Sequence, residues 1–176
     1  MSVQIGARPD SGFDDPLGML QDCHRRIEHF LNVLSTVAGR ARGRALDVDE
    51  STAVEDALHY FRVGGSRHTD DEELSLFPRL SAHADAPDRT MNNLQDEHQR
   101  AQGLHYVIDR LFAIWMNDRT LKKELEQQLD SAMAQLEQLY AGHIEVEERI
   151  LFPAAAKLLS REELIAIGDE FRRRRA

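Results

Sequence analysis

Apolar residues recur every three or four positions along four long stretches of the chain, beginning near Leu17, Val54, Leu94 and Leu129. This spacing is the period of an amphipathic α-helix, and no sustained alternation of apolar and polar residues competes with it. Turn-like segments separate the stretches, and short connections between long helices favour antiparallel neighbours. The sequence therefore predicts an all-α fold, an up-down-up-down four-helix bundle.

Start signals precede several of these stretches. Asp15, followed by a proline, is placed to cap the first helix. Thr52 and Glu55 have capping-box spacing ahead of the second stretch. Ser160 and Glu163 repeat that spacing and predict a short additional C-terminal helix.

The length and composition indicate a single domain. A chain of 176 residues with 41% apolar residues can bury a substantial core. Residues 1–14 are polar, with glycine and proline, and are predicted to form a flexible N-terminal tail. The domain is predicted over residues 15–176, with the bundle ending near residue 158 and the last helix at about 160–175.

Charge and cysteine content exclude several classes of protein. The net charge of −9 argues against nucleic-acid binding, which needs a basic face. No apolar run has membrane-spanning length and no secretory signal is recognisable, so we expect no membrane association and a cytoplasmic location. The single Cys23 excludes a disulfide framework and is given no redox role. Four arginines, Arg172 to Arg175, are interpreted as cations that favour a helix C-terminus.

The sequence contains an internal duplication. Residues 20–26 match residues 94–100 at an offset of 74, and residues 68–78 match residues 143–153 at an offset of 75. Each half is a predicted helical hairpin with one His on its first helix and a His-x-x-x-Glu-Glu on its second. Both copies end in Leu-Phe-Pro, which predicts a kink or an end of the helix. Such a repeat is typical of a pseudo-twofold structure.

The repeated polar residues lie within apolar stripes and therefore need a common partner. His and Glu four positions apart project from one face of a helix, and each ionisable group buried alone costs roughly several kcal/mol. The midpoints between successive histidines fall in or beside the turn segments, so all four share one cross-section of the bundle. The six candidate metal ligands are His24, His68, Glu72, His98, His143 and Glu147.

Imidazole and carboxylate ligands without thiolate suit iron, manganese or zinc. The repeat predicts that the histidines of each half hold one metal and that the two glutamates bridge the metals. Even with a bridging oxo or hydroxo group, two six-coordinate metals remain short of full coordination. Open positions on iron could take oxygen, nitric oxide or peroxide. A structural zinc ion is fully coordinated by four ligands, so six candidate ligands are more than one such ion needs.

At these residues the chain resembles the hemerythrin-like, or HHE cation-binding, family over about residues 14–158. The resemblance implies two iron ions in a non-haem centre bridged by carboxylates and an oxygen atom. It also implies roles such as oxygen carriage, oxygen or nitric oxide sensing, iron-sulfur repair or iron-responsive regulation. Gln102 stands where the oxygen carriers have a further His, which argues against simple oxygen carriage. Iron-sulfur repair members carry a cysteine-bearing N-terminal extension that this sequence lacks. Ferritin-like Glu-x-x-His motifs do not occur.

Five further residues near the candidate ligands have alternative interpretations. Glu28 is either an additional terminal ligand, an acceptor beside the site or a surface carboxylate. His105 lies seven residues beyond a candidate ligand, about 10 Å along the helix axis, which is too far for direct ligation. It either lines the pocket or is a hydrogen-bonded core residue. Glu97 either orients a ligand or faces solvent. Glu73 and Glu148 are expected to point away from the site.

Three functions compete at this point. The first is a metal-binding rather than dedicated enzymatic role, in which a di-iron site binds or senses oxygen, nitric oxide or peroxide. The second is a di-iron oxidoreductase that consumes peroxide or oxygen, and the third is iron storage or donation. A sensor would need a separate protein partner, because no second signalling domain is recognisable.

Overall fold

The computed structural model describes residues 10–176, and these residues form helices without any strand. The predicted all-α class and the additional C-terminal helix are thereby confirmed. No helix among the described residues is long and apolar enough to cross a membrane. The five helices are α1 (Pro16–Arg40), α2 (48–80), α3 (Asp88–Asp118), α4 (123–158) and α5 (Arg161–Arg175).

Two of the helix starts are as the sequence predicts. Asp15 caps α1 by accepting a hydrogen bond from the backbone N–H of Gly18 at 3.0 Å. Ser160 and Glu163 form a reciprocal capping box at the start of α5. In both places the cap satisfies backbone donors that the first turn of a helix leaves unpaired.

The predicted start of α2 is wrong. The helix begins at Val48, where Asp47 and Glu50 form the capping box, and the hydroxyl of Thr52 donates to the Val48 carbonyl inside the helix. Asp caps helices better than Thr, and it occurs five residues earlier with a Glu at the same spacing. The earlier and stronger signal therefore determines the start.

Helices α2 and α4 each widen into a π turn at corresponding places in the two halves. The turns span Glu72–Leu76 and Glu147–Leu151, so each begins at a candidate ligand and ends just before Phe-Pro. Proline lacks an N–H and its ring collides with the carbonyl four residues earlier, and a widened turn relieves both problems. The helices therefore continue through Leu-Phe-Pro. Helix α2 has another π turn at Phe61–Gly65.

The four long helices pack as neighbouring pairs around a common core, α1 on α2, α3 on α4, α1 on α4 and α2 on α3. Their alternating direction stays a prediction. The apolar core consists of two clusters, a larger one that includes Phe112 and Trp115 and a smaller one that includes Leu20 and Leu151. Along every long helix the candidate ligands fall between these clusters, so a polar layer divides the core.

Helix α5 covers the smaller cluster and packs on α1 and α2. Its Ile167 and Phe171 are completely buried there. Residues 1–9 of the predicted tail lie outside the described residues. Residues 10–14 lie against the domain: Asp10 pairs with Arg26 at 2.7 Å, and the ring of Phe13 packs under the Arg172 guanidinium.

Gly168 allows the chain before α1 to approach α5 closely. A β-carbon at this position would lie 1.9 Å from the carbonyl oxygen of Phe13. We therefore expect Gly168→Ala to lower the free energy of unfolding by about 1–3 kcal/mol, the usual cost of overpacking. Gly103→Ala is the matched control, because that helical glycine is exposed and has no neighbour within 4 Å. Urea unfolding should show no loss for the control and up to ~1 kcal/mol of gain. Equal effects of the two substitutions would contradict this packing.

Candidate metal centre

The polar layer contains all six residues that the sequence singles out, and each of them is buried, with at most 8% of its surface exposed. They form two groups in which the available nitrogen and oxygen atoms lie within 4.8 Å of one another. His24 and His68 belong to the first group, and His98 and His143 belong to the second. The two glutamates belong to both groups. The structure therefore brings the six together in the arrangement that the repeat predicts.

The two glutamates each reach across both halves of the duplication. Glu147 lies 3.0 Å from Nε2 of His24 through one oxygen and 3.2 Å from Nε2 of His143 through the other. Glu72 relates in the same way to the other two histidines, with oxygen to Nε2 distances of 3.5 Å to His68 and 3.3 Å to His98. Each carboxylate thus occupies a bridging position between the two groups.

Several buried nitrogen and oxygen atoms of the layer lack hydrogen-bond partners among the described residues. They include Nε2 of His24, both ring nitrogens of His68 and all four oxygens of Glu72 and Glu147. Buried polar atoms are rarely left in this state, because each one costs free energy. A cation would satisfy them together, and nitrogen and oxygen donors without thiolate suit iron, manganese or zinc. The cluster therefore fits a metal ion.

A second contact supports this fit. Nε2 of His98 lies 3.1 Å from Nε2 of His143, although each ring also places its Nδ1 beside a carboxylate. A carboxylate can only accept a hydrogen bond, so in a neutral ring Nδ1 carries the proton and Nε2 presents its lone pair. If both rings are neutral, two lone pairs face each other at this distance, and a cation beside them relieves their repulsion.

Burial and the contacts among the buried groups shift the pKa values of the side chains in the layer. Burial raises the pKa of Glu72 well above its usual range, and the neighbouring Glu147 adds to the rise. Burial also favours the neutral form of Glu147, but contacts with His143 and His24 outweigh it and lower the pKa. Burial and the nearby histidines together lower the pKa of His68 well below the usual value. The layer without metal therefore favours a neutral Glu72 and a neutral His68.

Two half-buried carboxylates contact the outer nitrogens of candidate ligands. Nδ1 of His24 donates to Glu148 at 2.9 Å, and Nδ1 of His98 donates to Glu73 at 2.7 Å. The prediction that Glu73 and Glu148 point away from the site is therefore wrong. Each follows a candidate ligand at the start of a π turn, and its long side chain reaches the ring on a neighbouring helix. The Glu-Glu pair in both copies of the repeat was the sequence signal for this role.

Glu97, for which two interpretations were open, orients a ring. Its carboxylate lies 2.9 Å from Nδ1 of His143. Carboxylates in this position select the tautomer of a metal-binding imidazole, hold its orientation and increase its basicity. Three of the four histidines thus have such a partner, and among residues 10–176 no group hydrogen-bonds to Nδ1 of His68.

Neither of the other candidates joins the two groups. Glu28 is exposed and Gln102, its counterpart in the second half, is exposed as well. Nε2 of His105 and the Tyr140 hydroxyl form a hydrogen bond at 2.9 Å. Burial lowers the pKa of His105 to about 4, so this ring is neutral at ordinary pH. Burial raises the pKa of Tyr140.

A cavity of about 500 Å³ opens between α2 and α3 and extends to His98 and Glu73. Its wall includes Gln102, Tyr140 and the π-helical Gly65. The volume lies within the range of small-molecule sites, about 300–1,000 Å³. The cavity therefore extends from solvent to one residue of the second group, His98.

Comparison with known proteins agrees with this geometry. The family model for the hemerythrin HHE cation-binding domain matches residues 15–163. An uncharacterized protein of Haemophilus influenzae is 27% identical over 164 residues, which cover 93% of this chain and 91% of that protein. The family match includes all six buried residues of the polar layer, whose grouping could hold a metal. The chain therefore belongs to the hemerythrin HHE cation-binding family.

Proposed function

We propose that this protein holds two iron ions in its polar layer and that the centre binds a small ligand such as oxygen, nitric oxide or peroxide. The observation that carries the proposal is the cluster of buried, unpartnered nitrogen and oxygen atoms in the middle of the bundle. Their division into two overlapping groups of four supports two metals rather than one. Membership of a cation-binding family supports the same conclusion.

Each residue of the layer then has a defined task. His24 and His68 bind one metal, and the two histidines of the second half bind the other. Glu72 and Glu147 would bridge the pair, because each carboxylate lies beside histidines from both halves. The mixed imidazole and carboxylate set favours iron over structural zinc, which would be complete with one group of four. Iron, when bound, would supply a redox-active centre that can bind such ligands.

The cavity between α2 and α3 supports ligand access to the metal of the second half. It reaches His98 from solvent, and Gln102 in its wall is exposed rather than directed at the groups. Gln102 would therefore leave the metal held by His98 and His143 accessible to an external ligand. Tyr140 and His105 line the same cavity and hydrogen-bond to each other. Burial keeps both side chains neutral, so this pair adds no buried charge to the cavity.

The test is metal analysis combined with ligand titration of the purified protein. We expect about two irons per chain after anaerobic loading, and a reversible change in the absorption spectrum on addition of nitric oxide or oxygen. Turnover of hydrogen peroxide by the loaded protein would instead favour an oxidoreductase. Rapid loss of iron to a weak chelator would favour storage or donation. A protein that retains one zinc, or no metal, would contradict the proposal.

A further inference from the structure

The carboxylates behind the histidines follow the duplication of the chain. Position 73 corresponds to position 148 and position 98 corresponds to position 24, at the offsets of the repeat. The contacts obey the same relation, because Glu73 holds His98 and Glu148 holds His24 at nearly equal distances. The pseudo-twofold relation therefore applies to the outer carboxylates as well as to the inner ring of candidate ligands.

The relation fails at one position. Glu97 holds His143, and the corresponding pair in the first half is position 23 with His68. Position 23 is Cys, so the repeat reads Asp-Glu-His in one half and Asp-Cys-His in the other. His68 is the one candidate ligand whose Nδ1 has no hydrogen-bond partner among the described residues, and its side chain is only 4% exposed. The half that has Cys in place of Glu is therefore the half in which Nδ1 of His68 lacks a partner.

Cys23 does not supply the missing interaction. A thiol is a weak acceptor and its side chain is shorter than that of Glu. The sulfur is already engaged by the Arg26 guanidinium at 3.2 Å. The ring of His68 therefore lacks the hydrogen bond that orients the other three rings and raises their basicity.

We propose that the two metal subsites are unequal, and that Cys23 makes them so because it stands where the second half has Glu97 and leaves His68 without a carboxylate partner. The subsite of His98 and His143, supported by two outer carboxylates, fills first and holds its metal firmly. The subsite of His24 and His68, supported by one, fills second and exchanges its metal more readily. Loss of an outer partner typically lowers metal affinity by about 10–100-fold, so we expect the two binding steps to differ by this factor. The inference depends on the two-metal centre proposed above.

Anaerobic titration with ferrous iron against a competing chelator tests the inequality. The unaltered protein should show two steps separated by about 10–100-fold in dissociation constant. Cys23→Glu restores the missing carboxylate and should tighten the weaker step until the two nearly coincide. Glu97→Cys removes the corresponding carboxylate and should weaken the stronger step to the level of the other. Cys23→Ala is the control and should preserve the separation, because it removes the thiol without adding an acceptor for His68.

Ligand variants identify which subsite fills first. His68→Ala should retain the tight step, whereas His143→Ala should lose it. Two equal steps in the unaltered protein would overturn the inference and leave the two-metal centre intact. A separation that persists in both Cys23→Glu and Glu97→Cys would also overturn it. Absence of any iron binding would instead overturn the proposed function, so the two failures are distinguishable.

Discussion

Glu147→Ala is expected to remove both metals from the protein, from about two irons per chain to fewer than one. Glu147 belongs to both groups of candidate ligands and contacts one histidine from each half. Loss of one bridging carboxylate therefore weakens both subsites together. Bound metal stabilises only the folded state, by about 2.7 kcal/mol when its concentration is 100 times the dissociation constant. For a domain of this size the thermal midpoint should fall by roughly 5–10 °C.

The measurement must separate metal loss from the packing change. Unfolding is therefore followed for each variant with iron and again after chelation, and the difference between the two midpoints is compared. Glu147→Gln retains the shape of the side chain and should lose the same difference. Glu145→Ala is the control, because that carboxylate lies on the same helix, is 62% exposed and, among the described residues, pairs with Arg149 alone at the surface. Undiminished metal content in both Glu147 variants would exclude this residue from the ligands.

Removal of the two last arginines of α5 should lower the stability of the domain by a comparable amount, although neither arginine contacts the candidate metal ligands. Arg174 and Arg175 each donate to a different oxygen of Asp71, at 2.7 and 2.6 Å, and that carboxylate is almost fully buried. Arg174 also donates to the Ser75 hydroxyl. Without the arginines a buried charge is left alone, which costs on the order of 3 kcal/mol. The Arg174→Ala, Arg175→Ala double variant should therefore unfold at a clearly lower urea concentration.

Two further variants distinguish the loss of this ion pair from a general effect of charge removal. Arg173→Ala should change stability by less than about 0.5 kcal/mol, because that side chain is 70% exposed and its nearest acid, Glu170, is 4.0 Å away. Addition of Asp71→Asn to the double variant should recover part of the loss, since no uncompensated charge then remains. If Arg173→Ala lowers the free energy of unfolding as much as the double variant does, the buried ion pair does not stabilise the domain.

The helices and the cluster of six were predictable because their signals are local or repeated. Apolar period specifies each helix, and histidines equidistant from the turns must share a level. The roles of Glu73 and Glu148 were missed, because the π turns that begin beside them carry no local signature beyond the following proline. The arginines of α5 were interpreted as a favourable helix end. Two of them instead pair with Asp71, a contact more than 100 residues apart in the chain that no short-range pattern reveals.

The crossed arrangement of the two glutamates has a consequence for the origin of the domain. Each subsite takes both of its imidazoles from one half of the chain but shares its carboxylates with the other half. Neither hairpin alone provides a complete group of four candidate ligands. An ancestral gene encoding a single hairpin could have assembled this centre only by pairing with a second copy of its own product. Two such hairpins in one chain would stay together at any protein concentration, and the two halves differ at positions 23 and 97.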